Sequence, residues 1–557
     1  MDISIRVAGE AGQGVQTTGN LLVEVFARIG LHVFATQSYM SRIRGGLNWF
    51  DVRIGDADLF SGKPGTDLLV ALTPEALEAL REDAAEGGMI LFDGHDEADV
   101  TALPFTDTAK EVGKSALMAN SVAAGAVLAL LGYGTETLCD YLAVEFKKKG
   151  DAVVQSNVDC ARRGAELAEP HAGTIAAPEP ADTPSAVYNG TQAVGIAAAR
   201  AGVKLVCSYP MTPSTGVFVY LAGVADEFGI VVEQAEDEIA AVNMVAGAVY
   251  AGVPAMTTTS GGGFALMCEG LSLAGIMELP VLIMDSQRPG PATGLPTRTG
   301  QEDLGFVLHA GHGEFPRAVF APGTQQQAYE ATRTAIETAH RFQTPAILMI
   351  DQFLADAQKN MPELDAAPAP IDRHIEEAPS ADYVRYALTE SGVSPRAIPG
   401  GDAFVVSDSD EHTPDGHITE DLDVRIEMQD KRMRKQQGMI AASLEPEQYG
   451  PDDAERLLVC WGSTYGPCRE AVDILNGRGL SAAMLHFTQV WPLDVDRIGS
   501  ILGKNAAQRR IIAVEGNATG QFASILREAG ALTECELVLR YDGLPFTGEE
   551  IARRVES

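Results

Sequence analysis

Three loops carry residue types that ligand binding or catalysis would use, and each follows a short apolar segment, the place where α/β sheets take their ligands. In residues 208–215 (SYPMTPST), Pro210 and Pro213 stiffen the chain and hold Thr212 in one orientation, while Ser214 and Thr215 can open the next helix. Paired prolines around one threonine are more than a helix cap needs. Residues 233–238 hold four acids among six and run into a Gly/Ala-rich helix. The helix dipole favours acids there and accounts for most of the run, yet it does not require that one carboxylate, such as Glu238, point inward. In residues 285–297 (DSQRPGPATGLPT), Arg288 sits in a Gly/Pro loop too constrained to be a linker, which suits bidentate capture of a carboxylate.

Two further runs lie near the N-terminus. Residues 9–14 (GEAGQG) stand between a strand and a helix, where Gly12 and Gly14 allow close approach of an anion to backbone N–H groups. The spacing is not G-x-G-x-x-G and no acid ends a second strand convincingly, so a tight turn or protein-contact loop is favoured over a dinucleotide site. Residues 41–46 (SRIRGG) put Arg42 and Arg44 beside glycines, to hold an anionic ligand, a partner's carboxylates or a structural ion pair.

The elements that position these loops follow from periodicity. Short apolar strands at residues 3–8, 31–35, 49–54, 68–72, 204–207, 230–233, 255–258, 280–284, 456–461, 482–487 and 510–515 alternate with helices such as 16–29, 238–250 and 468–478. The apolar run 116–131 is too short for a bilayer span and, rich in Ala and Gly, suits a tightly packed helix. Residues 169–186 and 362–380 carry four prolines each without apolar periodicity and read as linkers. The fold expected is α/β: three α/β domains with mostly parallel sheets, over residues 1–170, 186–362 and 381–557.

Composition sets the class of partner. Among 557 residues Asp plus Glu number 77 and Lys plus Arg 41, a net charge of −36, and only about 11 of the cations are Lys. Such a surface repels phosphate backbones and anionic lipids, so neither nucleic acid nor membrane is expected as a partner, leaving small molecules and proteins. Low Lys with excess acid fits adaptation to high salt and an ordinary acidic cytosolic protein alike. The seven cysteines (139, 160, 207, 268, 460, 468, 535) form no C-x-x-C, which gives no signature of a metal or iron–sulfur site, and their apolar neighbours suggest a reducing compartment. The N-terminus lacks the basic start and apolar stretch of a signal peptide, so a cytoplasmic location is expected.

Taken in order, YPMTPST, EDEIAA (236–241), RPGPATGLPT (288–297), EGNATGQ (515–521), AGQG (11–14) and SRIRGG resemble the 2-oxoacid:ferredoxin oxidoreductases, in the long α subunit with a γ domain fused ahead of it. Met211 and Ala11 depart mildly from the family pattern. The resemblance implies a γ-type first domain, a pyrimidine-binding-like middle domain and a transketolase-C-terminal-like last one. It implies thiamine diphosphate shared with a β subunit that holds the diphosphate, Mg2+ and an iron–sulfur cluster, an αβ or α2β2 assembly, coenzyme A as co-substrate, and ferredoxin as acceptor. The reaction implied is oxidative decarboxylation, of 2-oxoglutarate first, with pyruvate or a branched 2-oxoacid as alternatives. Glu238 matches the glutamate that hydrogen-bonds the pyrimidine ring and favours its imino tautomer. Arg288 and Thr212 match the substrate-carboxylate contacts, and Thr297 and Tyr209 are further substrate contacts. For EGNATGQ the resemblance favours structural support over coenzyme A contact. Residues 408–423 lack calcium-loop spacing and read as a solvated loop. Two other classes stay open: a nicotinamide-linked dehydrogenase on the N-terminal glycine loop, and a non-catalytic scaffold.

Overall fold

Ile3, Ile5 and Val7 are buried and alternate with more exposed positions at Asp2 and Arg6, the pattern of a central strand, here β1 (Asp2–Glu10). The computed structural model describes residues 1–40, 46–95, 99–503 and 509–556. They form two units: Met1–Asn189 with Asp356–Glu363, and Gly190–Ala355 with Leu364–Ser557.

The first unit is built on one sheet ordered β6-β5-β4-β1-β3-β2-β14-β7, where β2 is His32–Ser38, β3 Leu47–Gly55, β4 Thr66–Ala71, β5 Ala84–Phe92, β6 Thr101–Ala102, β7 Ala186–Asn189 and β14 Gln358–Met361. The half from β6 to β1 is parallel, and the half from β1 to β7 is antiparallel. Asn360 fastens β14 in place, accepting from Val33 N at 2.8 Å and donating to Leu31 O at 2.9 Å and Pro184 O at 2.7 Å. The proline-rich segment before β7 is also tied down, Ala181 N donating to Gly30 O at 2.7 Å. The apolar run forms the helix Ala119–Leu130, crossed by Asp151–Ala168. A Cβ on Gly125 would collide with Ala161 O, and one on Gly164 with Val122 O, so only glycine permits this approach.

In the second unit one sheet runs β18-β12-β13-β11-β10-β8-β9, with β8 Leu205–Ser208, β9 Val231–Gln234, β10 Ala255–Thr259, β11 Leu282–Gln287, β12 Ala318–Phe320, β13 Ala346–Asp351 and β18 Gln489–Trp491. All its pairings are parallel except β12 with β18. A second sheet, β15-β17-β16-β19-β20, comprises β15 Glu447–Tyr449, β16 Arg456–Trp461, β17 Ala482–Phe487, β19 Arg510–Glu515 and β20 Glu536–Leu539, parallel but for β15. Over the three sheets parallel pairing predominates. Val319, Ile347 and Met349 of one sheet and Trp461, Phe487 and Phe522 near the other share a single apolar core. Residues 408–423 are not simply solvated. Glu411 accepts from Arg432 at 2.7 and 3.0 Å and from Arg425 at 2.6 Å, because those cations need a carboxylate, and His412 beside it is fully buried.

Candidate functional site

The carboxyl ends of β8, β10, β11 and β13 point the same way and converge on one region of the second unit. Above β9 the chain turns at Asp237, whose carboxylate accepts from Ala240 N at 2.8 Å and caps the helix Glu238–Tyr250. Ala241, Val242, Val245, Ala246 and Val249 bury one face of that helix. Capping by Asp237 and exposure of Glu233 and Glu236 leave one acid of the run turned inward: Glu238, only 3% exposed, with Oε1 lacking any hydrogen-bond partner. A buried carboxylate oxygen without a donor is costly unless a ligand supplies one.

The helix Gly261–Leu266 follows β10 and explains how that carboxylate is accommodated. A Cβ on Gly263 would strike Glu238 Oε1 and Thr259 Oγ1, and one on Gly261 would strike both carboxylate oxygens of Asp303. The Gly-Gly-Gly turn therefore stands between two acids. Across the sheet Thr259 is in register with Asp285, which is fully buried with both oxygens unpartnered. Burial, then the nearby Asp303, push the Asp285 carboxyl well above the usual carboxylate range. Asp303 is pushed up to about 7, by burial and then by Glu302, with Arg288 pulling the other way.

Arg288 Nη1 donates to Thr212 O at 2.6 Å, so the loops after β8 and β11 meet. Gly290 N donates to Glu302 Oε2 at 2.9 Å, which fixes the loop beyond the arginine. Burial lowers the Arg288 pKa and Asp303 opposes that. The contact with Thr212 is through its carbonyl, not its hydroxyl. Tyr209 is 40% exposed and Thr297 partly exposed, and no hydrogen bond joins either to Arg288.

In the first unit Gly12 and Gly14 have φ of 93° and 82°, and Gly14 N-caps the helix Val15–Ile29 in left-handed geometry. This turn lines a cavity of about 1100 Å³ together with Tyr39, Trp49, Asn120 and Lys149. Arg42 and Arg44 lie outside the described residues.

Comparison with known proteins supplies the chemistry. Residues 4–167 match the family described as pyruvate ferredoxin/flavodoxin oxidoreductase, and residues 196–431 match pyruvate flavodoxin/ferredoxin oxidoreductase, thiamine diP-bdg. The 2-oxoacid:ferredoxin oxidoreductase subunit alpha of a Sulfolobus species is 30% identical over 99% of this chain and 96% of its own. The 2-oxoglutarate oxidoreductase subunit KorA of Mycobacterium tuberculosis is 31% identical over 100% of this chain and 91% of its own. A solved 2-oxoglutarate:ferredoxin oxidoreductase from Magnetococcus marinus, with 2-oxoglutarate, coenzyme A and succinyl-CoA bound, is 32% identical with a TM-score of 0.92, covering 100% of this chain and 99% of that one. This chain belongs to the 2-oxoacid:ferredoxin oxidoreductase α subunits.

In this α subunit the EGNATGQ run has intrachain work. Glu515 accepts from Trp461 Nε1 at 3.1 Å and from Asn517 Nδ2, Phe522 N and Ala523 N, each at 2.9 Å. Gln521 accepts from Gly305 N at 2.8 Å and donates to Glu302 O at 2.7 Å, and Gln301 exchanges 2.7 Å bonds with Gly516. The last sheet thereby holds the turn that carries Asp303. Sequence reasoning gave no role to Asp285 or Asp303. For Asp285 the available signal was an acid directly after the apolar run 281–284, where the strand β11 continues and a carboxylate has no solvent to face; Asp303 offered none.

Proposed function

We propose that this α subunit, joined by a β subunit, converts a 2-oxoacid, 2-oxoglutarate first, with coenzyme A and oxidised ferredoxin into acyl-CoA, carbon dioxide and reduced ferredoxin. The observation that carries the reading is the buried, unpartnered Glu238 Oε1 beside Gly263. A carboxylate so placed fits a protonated ring nitrogen of an aminopyrimidine, and the residue 263 position leaves room for no side chain of its own. Glu238 would hold the aminopyrimidine of thiamine diphosphate, which when bound would supply a nucleophilic carbon and an electron sink for decarboxylation.

The chain's own residues then have distinct parts. Glu238 holds the ring nitrogen's proton and so biases the ring's exocyclic amine toward the form that can take up a proton. Arg288, pinned by Thr212 O, offers its remaining N–H groups to the substrate carboxylate and fixes the carbonyl's position, a proximity effect. Thr212, Tyr209 and Thr297 are further substrate contacts in this reading. Asp285 is fully buried and Asp303 half-buried, so this region is poor in water, which favours loss of carbon dioxide from a poorly solvated carboxylate. To the β subunit we assign the diphosphate, Mg2+ and an iron–sulfur cluster, in an αβ or α2β2 complex, on the family pattern. The likeness to the Magnetococcus marinus enzyme and to KorA supports 2-oxoglutarate and coenzyme A as substrates.

The test is to co-express the chain with its β subunit and follow viologen reduction with 2-oxoglutarate, pyruvate and a branched 2-oxoacid. Coenzyme A-dependent reduction requiring both chains, fastest with 2-oxoglutarate, is expected. No reduction by any of the three acids, from a complex carrying its cofactor and cluster, would overturn the proposal.

A further inference from the structure

Away from this site, the interior of the second unit gathers cations that outnumber their counter-charges. Glu278, 1% exposed, pairs with Lys431 at 2.6 Å and with Lys435, both themselves buried. Burial pushes the Glu278 carboxyl up, but Lys435, Lys431 and Arg385 overcome it and hold the group far below the carboxylate range. Arg385, 2% exposed, donates to Gln343 Oε1 at 3.0 Å and to the main-chain carbonyls of Glu278 at 3.1 Å and Met277 at 3.3 Å, and its charge adds to the field that the two lysines set up at the Glu278 carboxylate.

Arg396 extends this cluster and has no carboxylate partner among the described residues. It is 3% exposed, and both Nη1 and Nη2 are buried without a hydrogen-bond partner. Its backbone is locked, its carbonyl accepting from Glu376 N at 2.9 Å, while the adjacent Ala397 N donates to the Tyr383 hydroxyl at 2.8 Å. The charges it meets are those of Arg385 and Arg373, with the Tyr383 hydroxyl. Burial first and these two arginines next pull its pKa down to about 10. His340, 1% exposed with Nδ1 unpartnered, lies within the field of Arg396 and is pulled down to about 3, by burial and then by that arginine, so it stays neutral.

A buried lysine escapes such a situation by losing its proton, as burial makes easier for Lys435, whose pKa falls to about 7. An arginine has no such escape at physiological pH. An uncompensated buried guanidinium beside two others is costly in a way that neutral water relieves only in part. Its fork of N–H groups matches a compact anion bidentately. We propose that Arg396 binds a small inorganic anion of the chloride class, and that this anion fastens residues 371–398 onto the helix Gln325–Phe342.

The probe is bromide. Crystals of the full chain soaked in sodium bromide should show an anomalous peak within hydrogen-bond distance of the Arg396 guanidinium. In solution, Tm should be higher by about 2 °C or more in potassium chloride or bromide than in potassium gluconate at equal ionic strength, because gluconate is too large to enter. Arg396→Met should remove that difference. A water molecule rather than bromide at Arg396, or bromide confined to the surface, would overturn the proposal, as would equal Tm in chloride and gluconate. If Arg396→Met does not fold, the anomalous map of the unmodified chain decides.

Discussion

Arg288 illustrates how much one side chain owes to its neighbours. Its guanidinium has one N–H committed to Thr212 O, and in the proposed reading the rest of the fork takes a planar carboxylate. A lysine in its place keeps the charge but loses the fork. Arg288→Lys should raise KM for the 2-oxoacid by roughly 10- to 100-fold with a smaller change in kcat, in steady-state assays of the assembled complex. An unchanged KM would remove Arg288 from the substrate site. Asp303 makes a different prediction. Its folded-state pKa of about 7 is above the ordinary 3.8, so the folded chain retains a proton that the unfolded chain gives up. That stabilisation is present below about pH 4 and is lost as pH rises through about 7. Asp303→Asn cannot titrate, so Tm of the variant relative to the parent should climb between pH 4.5 and pH 8. A difference in Tm that is constant across that range would show that Asp303 titrates normally.

Elements explain why these residues stand where they do, and also which of them the sequence reveals. Gly263→Ala would push a methyl group into Glu238 Oε1 and Thr259 Oγ1 on the first turn after β10. The variant should fold, since the clash is with two side-chain ends at the candidate site and not with backbone, yet lose thiamine diphosphate affinity by tenfold or more in a calorimetric titration of the complex. Unaltered affinity would place the cofactor elsewhere. The placement of Glu238, turned inward, and of Arg288, in the loop after β11, was legible because local rules point to it: a surplus acid at a helix start, and a cation in a Gly/Pro loop after a strand. The helix Glu238–Tyr250 and strands β16, β17 and β19 were legible to the residue, since apolar period and capping agree there. The antiparallel half of the first sheet was not. Its β14 is only four residues long and is held by Asn360, whose partner Val33 is 327 positions away, so no local pattern announces it. Asp285, Asp303 and the cations around Glu278 were hidden for the same reason. Their meaning lies in burial and in neighbours distant in sequence, such as Lys431, 153 positions from Glu278.

For the molecule as a whole, a net charge of −36 sits on the outside of units whose interiors are sorted much more finely. The acidic exterior fits recognition of proteins and small molecules, and no helix among the described residues is long and apolar enough to cross a membrane. The last sheet of the second unit braces the loops of the candidate site through Gln301, Glu515 and Gln521. All of this converges on Glu238. The most direct measurement compares the unmodified complex with Glu238→Gln, both shown by size-exclusion chromatography to be assembled, for coenzyme A-dependent viologen reduction with 2-oxoglutarate. The account predicts that the variant assembles normally and loses at least 100-fold in kcat, because a neutral amide no longer draws a proton onto the ring nitrogen. A fully active Glu238→Gln complex would contradict it and leave this chain a scaffold for chemistry done elsewhere.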